Sequence, residues 1–256
     1  MSIIKPLYTS NWGDLIGYPL ARFLLPAVAK TGISPNGVTL VSFALFTIGS
    51  LSLFISYPYH LVWAAGLIFF GYVGDDIDGQ LARYTGKSSV IGGYLDMVLD
   101  VLKIFIITTS LGYAVYLQTG EPLYLILGSV ACFFFNFRYY VKLETMFTEI
   151  NRDPEYLAKS AVRRTEFLAS IDQKIESWKG TYKGWIKIFW IRNKLILAVD
   201  EAEFAIFVAI GALTNQLTIT LVVIAAAQVC IGFLRFYQRG CALVYSRDSL
   251  LNPMRK

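Results

Sequence analysis

The sequence has few of the charged side chains with which soluble proteins cover their surfaces. Aspartate, glutamate, lysine and arginine together make up 16% of its 256 residues, whereas about a quarter is usual in globular domains. Hydrophobic residues account for 55% of the chain. This shortage of charge excludes an ordinary soluble domain and predicts an integral membrane protein with several spanning helices.

Cysteine and histidine are scarce as well. The three cysteines lie within or just after apolar segments, so we interpret them as small packing residues and expect no disulfide framework. The single histidine, His60, falls in a turn that we place on the side of the membrane opposite the acidic residues described below. The N-terminus lacks an apolar run followed by a small-residue cleavage site, so we predict no signal peptide.

Lysine and arginine are missing from three short turns between apolar segments, at residues 57–60, 120–122 and 214–216. All 23 basic residues lie elsewhere, on the terminal segments, on two other loops or on the helix portions that lead to them. Because cytoplasmic loops of membrane proteins carry an excess of basic residues, this imbalance predicts a multi-pass protein with both termini and residues 75–100 in the cytoplasm. It also explains the net charge of +5, and we expect no nucleic-acid partner.

Six apolar segments have about the 20 residues that a helix needs to cross a bilayer. They predict an all-α integral membrane fold with a four-helix part at residues 36–143 and a two-helix part at residues 195–238. The predicted spans are 36–57, 61–84, 92–117, 123–143, 195–213 and 217–237. Ser34 or Asn36 is the expected N-cap of the first span.

Three further segments are too polar to span. Residues 1–35 contain an amphipathic stretch that we interpret as an interfacial helix, or as a helix packed on the protein's own surface. Pro19 and Pro26 are expected to interrupt a long regular helix there. Residues 144–194 form a predicted cytoplasmic insertion with an amphipathic helix and a basic, aromatic-rich end suited to anionic lipid, and residues 239–256 form a cytoplasmic tail.

Four aspartates stand out against this apolar background. Asp75 and Asp78 are three residues apart and Asp96 and Asp100 are four apart, so each pair shares one face of a helix. Four converging carboxylates repel one another and are costly to remove from water. Mg²⁺ relieves this cost because it takes oxygen ligands and keeps coordination places for phosphate oxygens. The spacing therefore indicates a metal site for phosphoryl-group transfer. Lys103, three residues past Asp100, either snorkels to the membrane surface or neutralises surplus aspartate charge.

Small residues accompany these acids. Gly79 and Gly92 lack side chains where a nucleotide must approach a helix backbone closely, and Ala82 keeps the same face shallow. Arg83, one turn after Gly79, can reach a pyrophosphate with two parallel hydrogen bonds. Together these residues favour a nucleotide site beside the carboxylates.

The whole stretch resembles, without a gap or a substitution, the signature of the CDP-alcohol phosphotransferase family. The resemblance implies transfer of a substituted phosphate from a CDP-linked alcohol to an acceptor hydroxyl, with release of CMP. It implies Mg²⁺ or Mn²⁺ as cofactor, with two ions expected. The pattern reads Asp75-x2-Asp78-Gly79-x2-Ala82-Arg83-x8-Gly92-x3-Asp96-x3-Asp100.

The resemblance also implies a role for each acid. Asp75, Asp78 and Asp96 would be metal ligands, and Asp100 would be a ligand or the general base that takes the proton from the acceptor hydroxyl. No histidine lies near the site, which favours Asp100 as the base.

Nucleotide contacts follow from the same resemblance. Gly79, Ala82 and Arg83 would contact the CDP moiety. Residues 35–39, at the start of the first span, are similar to the family as well, which adds Asn36 and Thr39 as nucleotide-binding candidates. The alternative for this stretch is an ordinary helix cap.

Further polar residues lie in the later spans. Asn136 and Arg138 fall in the fourth predicted span, and Asp200, Glu201 and Glu203 fall early in the fifth. They form either a pocket for the acceptor alcohol, with Arg138, Asp200 and Glu203 as the leading candidates, or an interhelical ion pair, such as Arg138 with Glu203. Both interpretations stay open from the sequence.

The leading hypothesis is a membrane-embedded enzyme of phospholipid biosynthesis, with CDP-diacylglycerol as donor and a soluble alcohol, such as glycerol phosphate, serine or an inositol derivative, as acceptor. The alternative is a soluble CDP-alcohol that donates to a lipid hydroxyl, as in choline and ethanolamine phosphotransferases. A cation transporter is a third possibility, although the remaining helices offer no polar track across the membrane. The sequence leaves open the identity of both substrates and whether the chain forms a homodimer.

Overall fold

The computed structural model describes residues 14–178 and 201–245. Within these two ranges the fold is entirely helical, with eight α-helices and no strand, so the predicted all-α class is confirmed. The helices are α1 Asp14–Lys30, α2 Pro35–Ser52, α3 His60–Thr85, α4 Val90–Thr119, α5 Leu123–Arg152, α6 Tyr156–Trp178, α7 Glu201–Leu213 and α8 Leu217–Tyr245.

Serine caps set the start of two of these helices. The hydroxyl of Ser34 accepts a hydrogen bond from the backbone N–H of Gly37 at 3.1 Å, so Ser34 rather than Asn36 is the N-cap of α2. Ser89 caps α4 in the same way and accepts from the N–H of Gly92 at 2.9 Å. In each case the side chain satisfies a donor that the first turn of a helix leaves unpaired.

α1 is continuous over Asp14–Lys30, so the prediction that Pro19 and Pro26 interrupt it was wrong. Both prolines are exposed, whereas Ala21 and Leu25, four residues apart, are buried. Burial of that side stabilises the helix despite the backbone hydrogen bond that each proline removes. α1 packs against α3, which is one of the two placements considered for this segment.

The described residues form two compact units. The first contains residues 14–133 and 201–228, which comprise α1 to α4, α7 and the first parts of α5 and α8. The second contains residues 134–178 and 229–245, with all of α6 and the remaining parts of α5 and α8.

Glycines allow close helix contacts in the first unit. A methyl group on Gly71 of α3 would lie 2.8 Å from the backbone nitrogen of Phe46 in α2. A methyl group on Gly128 of α5 would lie 2.7 Å from the carbonyl oxygen of Thr108 in α4. Contacts this short do not occur, so both positions need glycine, as is usual where membrane helices pack tightly. The close α2–α3 contact fixes the aspartates of α3 relative to the start of α2.

Aromatic contacts join two helices of the second unit. The rings of Phe134 and Phe233 are 5.2 Å apart, and those of Phe137 and Phe236 are 5.9 Å apart. These pairs join the part of α5 that belongs to the second unit to the matching part of α8. α5 continues to Arg152, so the helix that contains the predicted span 123–143 extends into the predicted insertion.

By length and hydrophobicity, three of the described helices are able to cross a membrane. They are α2, α5 and the Leu217–Cys241 part of α8. The count of six spans stays a prediction. The start of the fifth predicted span, the basic end of the insertion and most of the tail lie outside the described residues.

Candidate active site

A tight reversal between α3 and α4 brings the four predicted aspartates into one region of the first unit. Asp75 and Asp78 lie on α3, and Asp96 and Asp100 lie on α4. Gly86 ends α3 in a left-handed conformation with φ of +66°, which glycine adopts at little cost. The chain can therefore turn back within one short link, and the two pairs come to lie side by side.

Three of the four aspartates form one group. One carboxylate oxygen from each of Asp75, Asp78 and Asp96 lies within 4.8 Å of the other two. Asp78 is only 8% exposed, and its Oδ2 is buried without a hydrogen-bond partner among the described residues. An unpaired buried carboxylate oxygen is costly, and neighbouring carboxylates repel one another. A hard divalent cation removes both costs, so this group fits Mg²⁺ or Mn²⁺.

Asp100 belongs to a second group, with Asp75 and Glu201 of α7. The ammonium of Lys103 lies among these three carboxylates. Its Nζ donates to Asp75 Oδ1 at 2.5 Å, to Asp100 Oδ1 at 2.8 Å and to Glu201 Oε1 at 3.2 Å. Lys103 is 2% exposed, so its three N–H groups are used inside the protein. Of the two roles expected of Lys103, neutralisation of aspartate charge is therefore the one that the structure shows.

A cleft of about 210 Å³ opens beside the first group. Asp78 and Asp96 contribute to its wall, whereas Asp75 and Asp100 do not line it. The six residues predicted to contact the nucleotide all line this cleft, and their roles stay predictions. They are Asn36, Thr39, Gly79, Ala82, Arg83 and Gly92.

The two signature glycines that line the cleft serve different purposes. A methyl group on Gly79 would lie 3.5 Å from Nη1 of Arg83, an ordinary contact, so glycine here keeps space open beside the guanidinium. A methyl group on Gly92 would lie 2.9 Å from Oδ1 of Asn36 and 3.0 Å from Oγ of Ser89. The sequence suggested close nucleotide approach for both positions. The structure adds that Gly92 leaves room for the side chains of Asn36 and Ser89 at the start of α4.

Two features of the cleft were not predicted from the sequence. The guanidinium of Arg83 donates from Nη2 to the hydroxyl of Tyr18 at 3.4 Å, and Gln80 donates to the backbone oxygen of Tyr18 at 3.4 Å. No pattern linked α1 to the site, so nothing in the sequence pointed to Tyr18. Lys87 and Ser88 also line the cleft. Their position in the polar link between the two acidic helices was a signal that could have identified them.

The proposed acceptor-binding residues have different outcomes. Asp200 lies outside the described residues. Glu203, on α7, is fully buried and is not part of either carboxylate group. Glu201, which was considered with them as a pocket carboxylate, contacts Lys103 instead. In the second unit, the guanidinium carbon of Arg138 lies 4.7 Å from the ring centre of Phe135.

The sequence is similar to those of known lipid-synthesising enzymes. An archaetidylinositol phosphate synthase of Pyrococcus horikoshii is 37% identical over 88 residues, which make up 33% of this chain and 43% of that protein. A phosphatidylinositol phosphate synthase of Mycolicibacterium smegmatis is 36% identical over 84 residues, which make up 32% of this chain and 36% of that protein. The chain thus spans less than half the length of these curated relatives.

The fold is similar to that of an enzyme of known structure. The crystal structure of Mycobacterium tuberculosis phosphatidylinositol phosphate synthase with CDP-DAG bound aligns with a TM-score of 0.54 and 18% sequence identity. The alignment covers 87% of this chain and 92% of that chain. At this level of identity the likeness shows a shared fold.

A family model supplies the assignment. The model of the CDP-alcohol phosphatidyltransferase family matches residues 32–171, which is more than half of the 256 residues and includes the whole acidic signature. With its apolar helices, this match also identifies a membrane protein. The chain belongs to the CDP-alcohol phosphatidyltransferase family.

Proposed function

We propose that this protein is a membrane-embedded, divalent-metal-dependent transferase of phospholipid biosynthesis. It transfers a phosphatidyl group from CDP-diacylglycerol to the hydroxyl of an acceptor alcohol and releases CMP. The observation that carries this proposal is the group formed by Asp75, Asp78 and Asp96, which lies next to a cleft lined by the nucleotide residues of the signature. A carboxylate group beside a basic cleft suits phosphoryl transfer, because this chemistry depends on positioning and charge neutralisation.

Asp75, Asp78 and Asp96 would hold Mg²⁺ or Mn²⁺. When bound there, a divalent ion would neutralise charge on the pyrophosphate oxygens and would stabilise the leaving CMP. The unpartnered Oδ2 of Asp78 supports this assignment, since a ligand there would remove the cost of its burial.

The cleft would hold the CDP portion of the donor. Arg83, which Tyr18 contacts at 3.4 Å, is placed to bind a phosphate with its planar fork of donors. The open surface at Gly79 and Ala82 admits a flat ring close to α3. Lys87 supplies a second positive charge at the cleft. These features favour a nucleoside diphosphate group over a neutral ligand.

Asp100 would act as the general base. In the transfer, the acceptor oxygen forms a bond to phosphorus, the bond from phosphorus to the CMP oxygen breaks, and the hydroxyl proton passes to a carboxylate. The contact between Asp100 Oδ1 and Lys103 at 2.8 Å orients the Asp100 carboxylate beside Asp75. A general base positioned in this way typically increases the reaction rate by a factor of about 10²–10⁴.

The relatives guide the choice of acceptor. Two of them are named as synthases of inositol phosphate lipids, and the structural neighbour carries CDP-DAG. For this chain they support a lipid donor with a phosphorylated polyol as acceptor. Arg138, Asp200 and Glu203 stay candidates for binding this acceptor.

The decisive experiment measures CMP release by purified protein in lipid nanodiscs with CDP-diacylglycerol and Mg²⁺. Inositol phosphate, glycerol phosphate, inositol and serine are tested as acceptors, each with wild type and Asp78→Asn. We expect CMP release that depends on one phosphorylated polyol and is lost in the variant. Release only with a soluble CDP-alcohol and diacylglycerol would indicate the reverse donor arrangement. No CMP release, together with cation flux in proteoliposomes, would indicate a transporter.

We also propose a topology of six spans with the site and both termini in the cytoplasm. The basic-residue distribution supports it. Single cysteines introduced at Glu121 or Asn215 should react with impermeant reagent from outside, whereas a cysteine at Ser88 should react only from the cytoplasmic side. Labelling of Ser88→Cys from outside would contradict this orientation.

A further inference from the structure

The acidic cluster has two halves that share Asp75. We call Asp75, Asp78 and Asp96 the open group, and Asp75, Asp100 and Glu201 the lysine group. Each offers three carboxylate oxygens that lie within 4.8 Å of one another. If the cluster took two divalent ions, each group would be expected to hold one.

The lysine group already contains a cation. The ammonium of Lys103 has three N–H donors, and it contacts one oxygen each of Asp75, Asp100 and Glu201 at 2.5, 2.8 and 3.2 Å. Its side chain is buried, so the charge cannot leave for water without rearrangement of α4. A divalent ion here would need the same three oxygens and would lie within a few ångströms of the ammonium. In a poorly solvated site the two positive charges would repel strongly.

The open group differs on each of these points. Among the described residues, no lysine or arginine forms an ion pair with Asp78 or Asp96. Oδ2 of Asp78 has no hydrogen-bond partner in this part of the chain. Both side chains also line the cleft, which gives an entering ion a route and leaves room for water and phosphate ligands.

We propose that Lys103, held by Glu201, is a built-in cation that takes the place of a second divalent ion at Asp75 and Asp100. The protein accordingly binds one divalent ion per chain, in the open group. This inference rests on the proposed metal-dependent function and specifies its metal site. It makes Lys103 a positioning residue, because it acts through the carboxylates it binds.

Counting bound Mn²⁺ tests the proposal without an activity assay. Purified protein in detergent micelles is titrated with MnCl₂, and free Mn²⁺ is measured from its electron paramagnetic resonance signal. We expect one Mn²⁺ per chain in the wild type, none in Asp78→Asn and two in Lys103→Met. Lys142→Met, which removes the same charge from an exposed position on α5, is the matched control and should bind one.

A double variant provides a second test in case Lys103→Met does not fold. Lys103→Met/Glu201→Gln removes one charge of each sign, so Asp75 and Asp100 remain without an excess carboxylate. We expect it to elute as a single peak in gel filtration and to bind a second Mn²⁺ at these two aspartates.

The outcomes separate this inference from the proposed function. Two Mn²⁺ per wild-type chain, or only one in both Lys103 variants, would overturn the built-in cation and leave the metal-dependent function intact. No Mn²⁺ in the wild type would overturn the metal site itself. If neither Lys103 variant folds, the wild-type count decides: one supports the proposal and two contradicts it.

Discussion

The open group and the lysine group are built from the same kind of side chain on neighbouring helices, yet their surroundings are opposite. The lysine group encloses a buried ammonium that uses all three of its donors on carboxylates. The open group faces a cleft and leaves Oδ2 of Asp78 without a partner among the described residues. Three close carboxylates therefore do not by themselves specify a metal ion. The nearest cationic side chain decides which group needs one.

The two groups would also have different roles in the reaction. The open group adjoins the cleft residues that would bind the nucleotide, and the lysine group contains the proposed base. Because Asp75 belongs to both groups, a change in one half is transmitted to the other through a single carboxylate. Substitutions on either side of Asp75 should then have effects of different size and kind.

The largest effect is expected in the open group. Asp78→Asn removes the charge on the most buried ligand, and we expect turnover to fall by about 10³–10⁴, since metal stabilisation of the transferring group is worth several kcal/mol. CMP release in nanodiscs measures the loss. Asp76→Asn, next to it on α3 and outside both groups, is the matched control and should retain most of the activity. Full wild-type turnover in excess chelator would contradict metal dependence.

The second largest effect is expected in the lysine group. Asp100→Asn removes the proton acceptor but keeps an oxygen that can still contact Lys103. We expect single-turnover rates to fall by about 10²–10⁴, while the affinity for a non-reacting CDP analogue with Mg²⁺ changes little. Calorimetry and single-turnover kinetics on the same preparation separate the two quantities. A parallel loss of nucleotide affinity would indicate that Asp100 is chiefly a metal ligand.

The difference between the two groups was only partly visible in the sequence. The convergence of the four aspartates could be predicted because positions three and four apart share a helix face and a short link joins the two helices. The contact between Glu201 and Lys103 could not be predicted. The two residues lie 98 positions apart in the sequence and meet only through the packing of α7. The same holds for Tyr18, 65 residues from Arg83.

Rules based on local helix propensity also failed where the burial of one helix face outweighs them. Pro19 and Pro26 are poor helix residues, yet α1 is continuous because the side that carries Ala21 and Leu25 is buried. The predicted span 123–143 follows the apolar run, whereas helix α5 continues beyond it to Arg152. The tertiary contacts that bury one side of α1 have no signature in a single sequence.

A smaller effect is expected from loosening the lysine group. Glu201→Gln leaves Lys103 its contacts with Asp75 and Asp100 but removes one charged partner. We expect a loss of stability of roughly 1–3 kcal/mol, seen as a lower melting temperature, and a fall in turnover smaller than that of Asp100→Asn. Glu121→Gln, in an exposed turn, is the control for the substitution itself. An unchanged melting temperature would show that Glu201 does not hold Lys103 in place.

The smallest effect is expected at the edge of the cleft, on the side of the open group. Tyr18→Phe removes a hydroxyl that contacts Arg83 at 3.4 Å, a long and therefore weak hydrogen bond. Losing a contact worth about 0.5–1 kcal/mol should raise the KM for the CDP-linked donor by roughly 2–5-fold, with kcat unchanged. Tyr84→Phe, on an exposed tyrosine next to Arg83, is the matched control.

If Tyr18 acts by orienting Arg83, Tyr18→Phe should have no further effect on KM in an Arg83→Ala background, because the two losses are then not additive. An equal KM increase in both backgrounds would instead show that Tyr18 contacts the donor directly or supports α1 alone.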